Sequence, residues 1–269
     1  MIDLRRYGKT PFSVVVIHGG PGARGEMKPV ALELSRTYGV LEYLQTATSI
    51  NGQIKELKNS LNKHTNLPVT LIGHSWGAWL GFIFAAKYPK LVKKLILVSS
   101  GPFEDKYVSQ IMITRLRRLR HKERNELNTY IKLMNKQKVN KLTLKRLTKK
   151  VGDDLVFVKF GELMSKTDSF KPIRIKNKVD FRLDIMQGVW RQAEKLRKSG
   201  KLLNLGNKIK CPVIAIHGEY DPHPADGVKK PLSSIIKNFR FILLKNCGHT
   251  PWIERQTREK FFRILKSEI

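Results

Sequence analysis

Ser75, Asp221 and His249 are the residues whose surroundings best fit a chemical role. Ser75 sits in Gly73-His74-Ser75-Trp76-Gly77, between an apolar run at 69–72 and a helical pattern at 78–87. A Gly-x-Ser-x-Gly turn from strand to helix holds its serine in strained geometry, with the hydroxyl raised above the strand end. The two glycines allow the tight turn and the close approach of helix to strand. The next backbone N–H, that of Trp76, then points to where an oxyanion would form, and the helix N-terminus adds a partial positive charge.

A serine of this kind needs a base, and the base needs an acid. His249, in Cys247-Gly248-His249-Thr250-Pro251-Trp252, is expected to take the serine proton and return it to the leaving group. Asp221, in His217-Gly218-Glu219-Tyr220-Asp221-Pro222, is expected to orient that histidine and stabilise its cation. The two loops follow apolar runs at 240–244 and 213–216. Glu219 competes for the acid role but lies nearer its run, so Asp221 ranks first. A second oxyanion donor is expected in His18-Gly19-Gly20-Pro21-Gly22, where the Gly20 N–H can approach a developing negative charge. His18 itself is read as structural, beneath that loop.

These loops must be held by regular elements. Apolar runs rich in β-branched residues recur at 13–17, 38–44, 69–72, 95–99, 213–216 and 240–244. Most lack polar alternation, as strands covered on both faces do. Helical patterns lie between them at 28–36, 50–63, 78–87 and 231–237, and one at 254–266 closes the chain. Strands alternating with helices predict an α/β core with a mainly parallel sheet. The alternation stops between about 101 and 206, where helices are expected at 111–119, 123–135, 142–150, 153–164 and 184–198. The chain therefore divides into a core part at 1–101, an inserted helical cap at 102–205 and a second core part at 206–269. The cap is expected to lie over the active end of the sheet.

The formal charge is +30, and residues 103–205 hold 27 of the 52 basic side chains. In the cap, Lys and Arg interleave with Leu, Ile and Val, as at Leu142-Thr143-Leu144-Lys145-Arg146-Leu147, so the charges are expected to share an outward face. The run Arg115-Leu116-Arg117-Arg118-Leu119-Arg120 is read the same way, as a solvated helix face. No specific nucleic-acid partner is expected. Cys211 and Cys247 form no metal-binding pattern and are read as reduced and buried, which suits the cytoplasm. The apolar window 68–86 contains Gly73 and Gly77, and reads as a buried strand and helix rather than a membrane span.

Together, His18-Gly19-Gly20-Pro21-Gly22, Gly73-His74-Ser75-Trp76-Gly77, the loop of Asp221 and the loop of His249 resemble the α/β-hydrolase superfamily, in its branch with a helical cap. The likeness covers 12–101 and 206–269. It implies a three-layer core with the first two strands of larger members reduced or missing. It also implies the triad Ser75, Asp221 and His249 and the oxyanion donors Gly20 and Trp76. The expected reaction is cleavage of a small-molecule carboxylic ester through an acyl-enzyme, with no metal or organic cofactor. Trp190 and Trp252 are expected at the substrate pocket, and Trp79 in the core. The first glycine motif is also similar to that of the proline iminopeptidases, but Leu44-Gln45-Thr46-Ala47 stands where those carry a DQRG-type element. An amide hydrolase would need acidic cap residues for a free amine, and Glu162 and Asp168 are the candidates. A ligand-binding protein on the same scaffold, with Ser75 silent, is the remaining alternative.

Overall fold

Val14 and Val16 pack on one side of a sheet, and Val15 and Ile17 on the other. This period of two divides the interior into two cores. The computed structural model describes residues 4–134 and 153–269. Its sheet has seven strands in the order β1-β4-β2-β5-β6-β8-β9. They are β1 (Leu4–Tyr7), β2 (Phe12–Ile17), β4 (Gly39–Tyr43), β5 (Val69–His74), β6 (Val92–Val98), β8 (Val213–Gly218) and β9 (Phe239–Leu244). All neighbours pair in parallel except β1, which runs antiparallel to β4 at the edge.

Helices α1 (Lys28–Leu34) and α10 (Arg258–Ser267) cover the face of Val14 and Val16. Helices α2 (Ile50–His64) and α3 (Trp76–Lys87) cover the other. The Ser49 side chain caps α2 by accepting the Gly52 N–H at 3.1 Å. Every residue of α3 from Trp76 to Ala86 is buried, since sheet, α2 and further helices surround it. The apolar window at 68–86 is thus β5 and α3. No helix among the described residues is long and apolar enough to cross a membrane. Cys211 and Cys247 are free and buried, one in each core. Burial pushes their thiols up to about 11 and about 12.

Between β6 and β8 the chain leaves the sheet. It forms α4 (Val108–Arg117), α5 (His121–Met134), α6 (Asp153–Asp168), α7 (Leu183–Lys198) and α8 (Lys201–Asn204). The helix expected at 142–150 lies outside the described residues. Among the described residues one short strand interrupts the helices: β7 (Asp180–Phe181) pairs with β3 (Ala23–Arg24). The Arg182 N–H also donates to the Gly22 carbonyl at 3.0 Å. These bonds tie the insertion to the loop after β2.

Helix α9 (Asp226–Ile235) begins earlier than expected and contains Pro231. Proline cannot donate to the carbonyl four residues back. Here that carbonyl, on Gly227, accepts the Phe103 N–H at 2.9 Å instead, so the helix runs through the proline. The closing helix starts later than expected, because Pro251–Ile253 forms a separate short turn and Glu254 is drawn inward.

Candidate active site

The loops after β2, β5, β8 and β9 converge at the carboxyl end of the sheet, the usual ligand end of an open α/β fold. Ser75 has φ 50° and ψ −114°, in a region where a non-glycine residue costs roughly 1–3 kcal/mol. The turn is possible because its flanks lack side chains. A Cβ on Gly73 would lie 2.2 Å from the Gly77 carbonyl oxygen, and one on Gly77 would lie 2.2 Å from that of Ile17. The loop after β2 also passes close, since a Cβ on Gly19 would stand 3.1 Å from the Ser75 Cβ. Trp76 opens α3, so its N–H has no helical acceptor. Neither that N–H nor the N–H of Gly20 donates to a protein group among the described residues.

His249 and Asp221 meet as the sequence suggests. His249 Nδ1 lies 2.7 Å from Asp221 Oδ2, and the Asp221 side chain has no solvent exposure. Glu219 instead accepts the Asn246 N–H at 3.4 Å. Asp221 has a second histidine partner that the sequence reading missed. His223 places its Nδ1 at 2.8 Å and its backbone N–H at 2.9 Å from Asp221 Oδ1. Its ring stacks on His249 at 4.5 Å. An aspartate bonded to the backbone N–H two residues on is a common turn, and this was the available signal. His217, 3.6 Å from Asp221 Oδ2, donates from Nε2 to the His223 carbonyl at 2.8 Å and braces the loop.

Burial alone would raise the Asp221 carboxyl, but His249, His223 and His217 hold it well below the usual carboxylate range. For His249, burial lowers the pKa, Asp221 opposes that, and His223 and His74 lower it further. The net direction is down, so His249 is a neutral base near pH 7. The acid limb of kcat/KM on a neutral substrate should therefore have its midpoint below the ordinary imidazole value. In His223→Ala the midpoint should move up, because a neighbour that lowers the His249 pKa is removed. A wild-type midpoint above the ordinary value would contradict this electrostatic picture.

A second layer holds His249 from behind. His74 Nε2 lies 2.9 Å from the His249 carbonyl oxygen, and His74 Nδ1 lies 3.0 Å from Glu26 Oε2. Burial lowers the His74 pKa, but Glu26 outweighs it and the net shift is upward. The same Glu26 oxygen accepts the Gly19 N–H at 2.7 Å, joining the loop of Gly20 to the base. Glu254 is fully buried and accepts the N–H groups of Gly248, Phe170 and Lys171 at 3.0, 2.7 and 2.8 Å. It fastens the His249 loop to the insertion. Glu26 lies far in sequence from His74, and Glu254 from Phe170 and Lys171, so no local pattern marked these contacts. His18 is buried, accepts the Gln45 N–H at Nε2 and has its pKa lowered by burial to about 4, as a structural residue would.

The cleft above Ser75 measures about 240 Å³ and is mainly apolar. Trp76, Trp79, Val108, Ile111, Met112 and Trp190 give it its walls, and His223, Arg115 and Arg197 its polar groups. Helices α4 and α7 thus roof the cleft. Trp190 lies where expected, half exposed and stacked on Trp79 at 6.4 Å. Trp79, expected only in the core, is both buried and part of the wall. Trp252 does not line the cleft. The turn at Pro251–Ile253 directs its ring inward, edge-on to His74 at 4.7 Å and against Phe261. Neither Glu162 nor Asp168 lines it either. Glu162 pairs with Lys159 on the surface, and Asp168 is held by Arg115. The basic run at 115–120 is not wholly solvated: Arg118 donates to the Thr167 carbonyl and covers the Tyr220 ring at 3.5 Å.

Asp221, His223 and His249 also bring one nitrogen or oxygen atom each within 4.8 Å of one another. Their Nδ1 atoms are already engaged with Asp221, so hydrogen bonding accounts for the cluster.

Comparison with known proteins agrees with this architecture. The family described as alpha/beta hydrolase fold matches residues 13–256. A cis-3-alkyl-4-alkyloxetan-2-one decarboxylase of Shewanella oneidensis is 38% identical over 50 residues, 19% of this chain and 15% of that protein. A serine hydrolase-like protein of Mus musculus is 41% identical over 54 residues, 19% of this chain and 17% of that protein. The match thus spans less than a fifth of the length of either curated relative. The crystal structure of VinJ superposes with a TM-score of 0.68 at 16% identity, over 99% of this chain and 95% of that one. The family match covers nearly the whole core and the insertion, and the chain belongs to the alpha/beta hydrolase fold family.

Proposed function

We propose that the chain is a serine hydrolase that cleaves carboxylic esters of small or medium substrates through an acyl-enzyme. The observation that carries this reading is the buried Asp221–His249 hydrogen bond of 2.7 Å, with His249 stacked on His223, which lines one apolar cleft together with the strained Ser75. The Ser75 hydroxyl makes no hydrogen bond among the described residues, so none has to break before it attacks. His249 takes the Ser75 proton as Oγ attacks the carbonyl carbon. Asp221 stabilises the imidazolium, and the N–H groups of Gly20 and Trp76 bind the oxyanion. His249 then protonates the leaving alcohol. Water deacylates the enzyme by the same route, with His249 again as base. The scheme requires no metal or organic cofactor.

Segment 102–205 acts in this reading as a cap domain between core parts 1–101 and 206–269. The protein works in the cytoplasm, with its two thiols free, and its partner is a small molecule rather than a nucleic acid. A relative named as a decarboxylase means that short stretches of likeness do not decide the reaction. The amide-hydrolase alternative loses support because Asp168 and Glu162 stand outside the cleft.

A series of 4-nitrophenyl esters of rising acyl length tests the reading. Ligand clefts commonly measure about 300–1,000 Å³, so one of 240 Å³ should favour short acyl groups. kcat/KM should peak at short chains and exceed that for aminoacyl anilides. Turnover of the anilides alone would overturn the ester assignment.

A further inference from the structure

Arg115 and Arg197 reach the cleft from α4 and α7, and both line it together with Ser75. Their bonding follows one scheme. Arg197 gives Nε and Nη2 to a single oxygen, Oδ1 of Asp105, at 3.2 and 3.0 Å. Arg115 gives Nε and Nη2 to the two oxygens of Asp168, at 2.8 and 2.5 Å. In each case Nη1 donates to no protein group among the described residues. A guanidinium has five N–H donors in a planar fork, so each side chain keeps one edge for a ligand.

Arg197 is the more informative of the two. Its side chain is 5% exposed, whereas that of its partner Asp105 is 51% exposed. A guanidinium present only for that ion pair could stay at the surface with it. Drawing its charge away from the surface costs free energy that an ion pair with a half-exposed partner recovers only in part. Instead it lies by the Trp79 ring, 5.8 Å from the centroid, beside the Trp79–Trp190 stack. The face of the Trp79 ring favours a cation at this distance. The outward-facing cap expected from the sequence therefore fails at these two arginines, where acidic partners hold the charge inside.

We propose that the cleft is built for short substrates bearing a carboxylate, bound by the Nη1 groups of Arg197 and Arg115, and that Arg197 sets the preference for anionic over neutral substrates. A carboxylate fits this lining because its two oxygens accept guanidinium N–H groups, in a mainly apolar cleft where charge-assisted hydrogen bonds are strong. The small, mainly apolar cleft leaves room for a few carbons between that carboxylate and the carbonyl at Ser75. The binding claim stands on the arginines alone, and the claim that the bound molecule is hydrolysed rests on the proposed serine-hydrolase reading.

Binding is measured by tryptophan fluorescence on Ser75→Ala protein, with Trp79 and Trp190 as reporters. One pair of probes is monomethyl glutarate and methyl valerate, which places the charge on the acyl part. The other is 3-acetoxypropanoate and propyl acetate, which places it on the alcohol part. The anionic member of one pair should bind at least about tenfold tighter, and that pair identifies the charged part. Arg197→Leu in the same background should bring the ratio close to one. Arg197→Lys, which keeps the charge but not the fork, should leave an intermediate ratio. Salt at about 0.5 M should reduce the wild-type-cleft ratio by screening. A ratio near one in both pairs, or one that Arg197→Leu leaves intact, overturns the proposal. Turnover of the same esters by the unmodified protein is then followed. Selective binding without turnover sinks the hydrolase reading and leaves the anion site, whereas turnover without selectivity does the reverse.

Discussion

Replacing Ser75 with alanine should lower kcat for ester hydrolysis by roughly 10⁶. The nucleophile and its base act as one unit, so losing Oγ should remove nearly all acceleration except that from binding and the oxyanion donors. The fold should survive. Alanine keeps the Cβ that already occupies the strained φ of 50°, and Ser75 makes no side-chain cap hydrogen bond whose loss would leave a partner bare. The measurement is the initial rate on a short-chain ester, with the thermal midpoint as the control for folding. Ordinary turnover by a folded variant would remove Ser75 from the mechanism.

Asp221→Asn should lower kcat by about 10⁴. The carboxylate is buried and takes His249 on one oxygen and His223 on the other. An amide has a single oxygen, so one imidazole must face an NH₂ group. If that is His249, the ring is held in the wrong tautomer. If it is His223, the Asp221 loop loses the turn that shapes it. Glu219→Gln should change kcat by less than about twofold, as surface substitutions usually do, because Glu219 accepts only the distant Asn246 N–H. The two variants are compared on one ester at saturating concentration. A large loss in Glu219→Gln with a small one in Asp221→Asn would exchange the roles.

The meeting of the Asp221 and His249 loops with that of Ser75 was legible because each residue sits in a short local context. Steric need imposes the glycines around Ser75, and strand ends place Asp221 and His249. The sheet was legible for a similar reason, since buried parallel strands need continuous apolar runs. The failures share a different cause. Trp252 follows His249 by three residues, yet a single turn at Pro251–Ile253 sends its ring into the core rather than the cleft. His74 and Glu26 meet across 48 positions, and Glu254 gathers N–H groups from residues more than 80 positions away. Local periodicity carries no trace of such contacts. Arg115 and Arg197 show the same limit in the cap. A charged residue between apolar ones points outward unless an acid elsewhere in the fold receives it, as Asp168 and Asp105 do here.

The central claim is that Ser75 is a nucleophile activated by the Asp221–His249 pair. Labelling with a small fluorophosphonate, followed by intact-mass and peptide analysis, tests it most directly. One equivalent should attach, the adduct should map to Ser75, and the labelling rate should fall sharply in Asp221→Asn. No adduct on folded protein, or an adduct at another residue with Ser75 unmodified, would contradict the account.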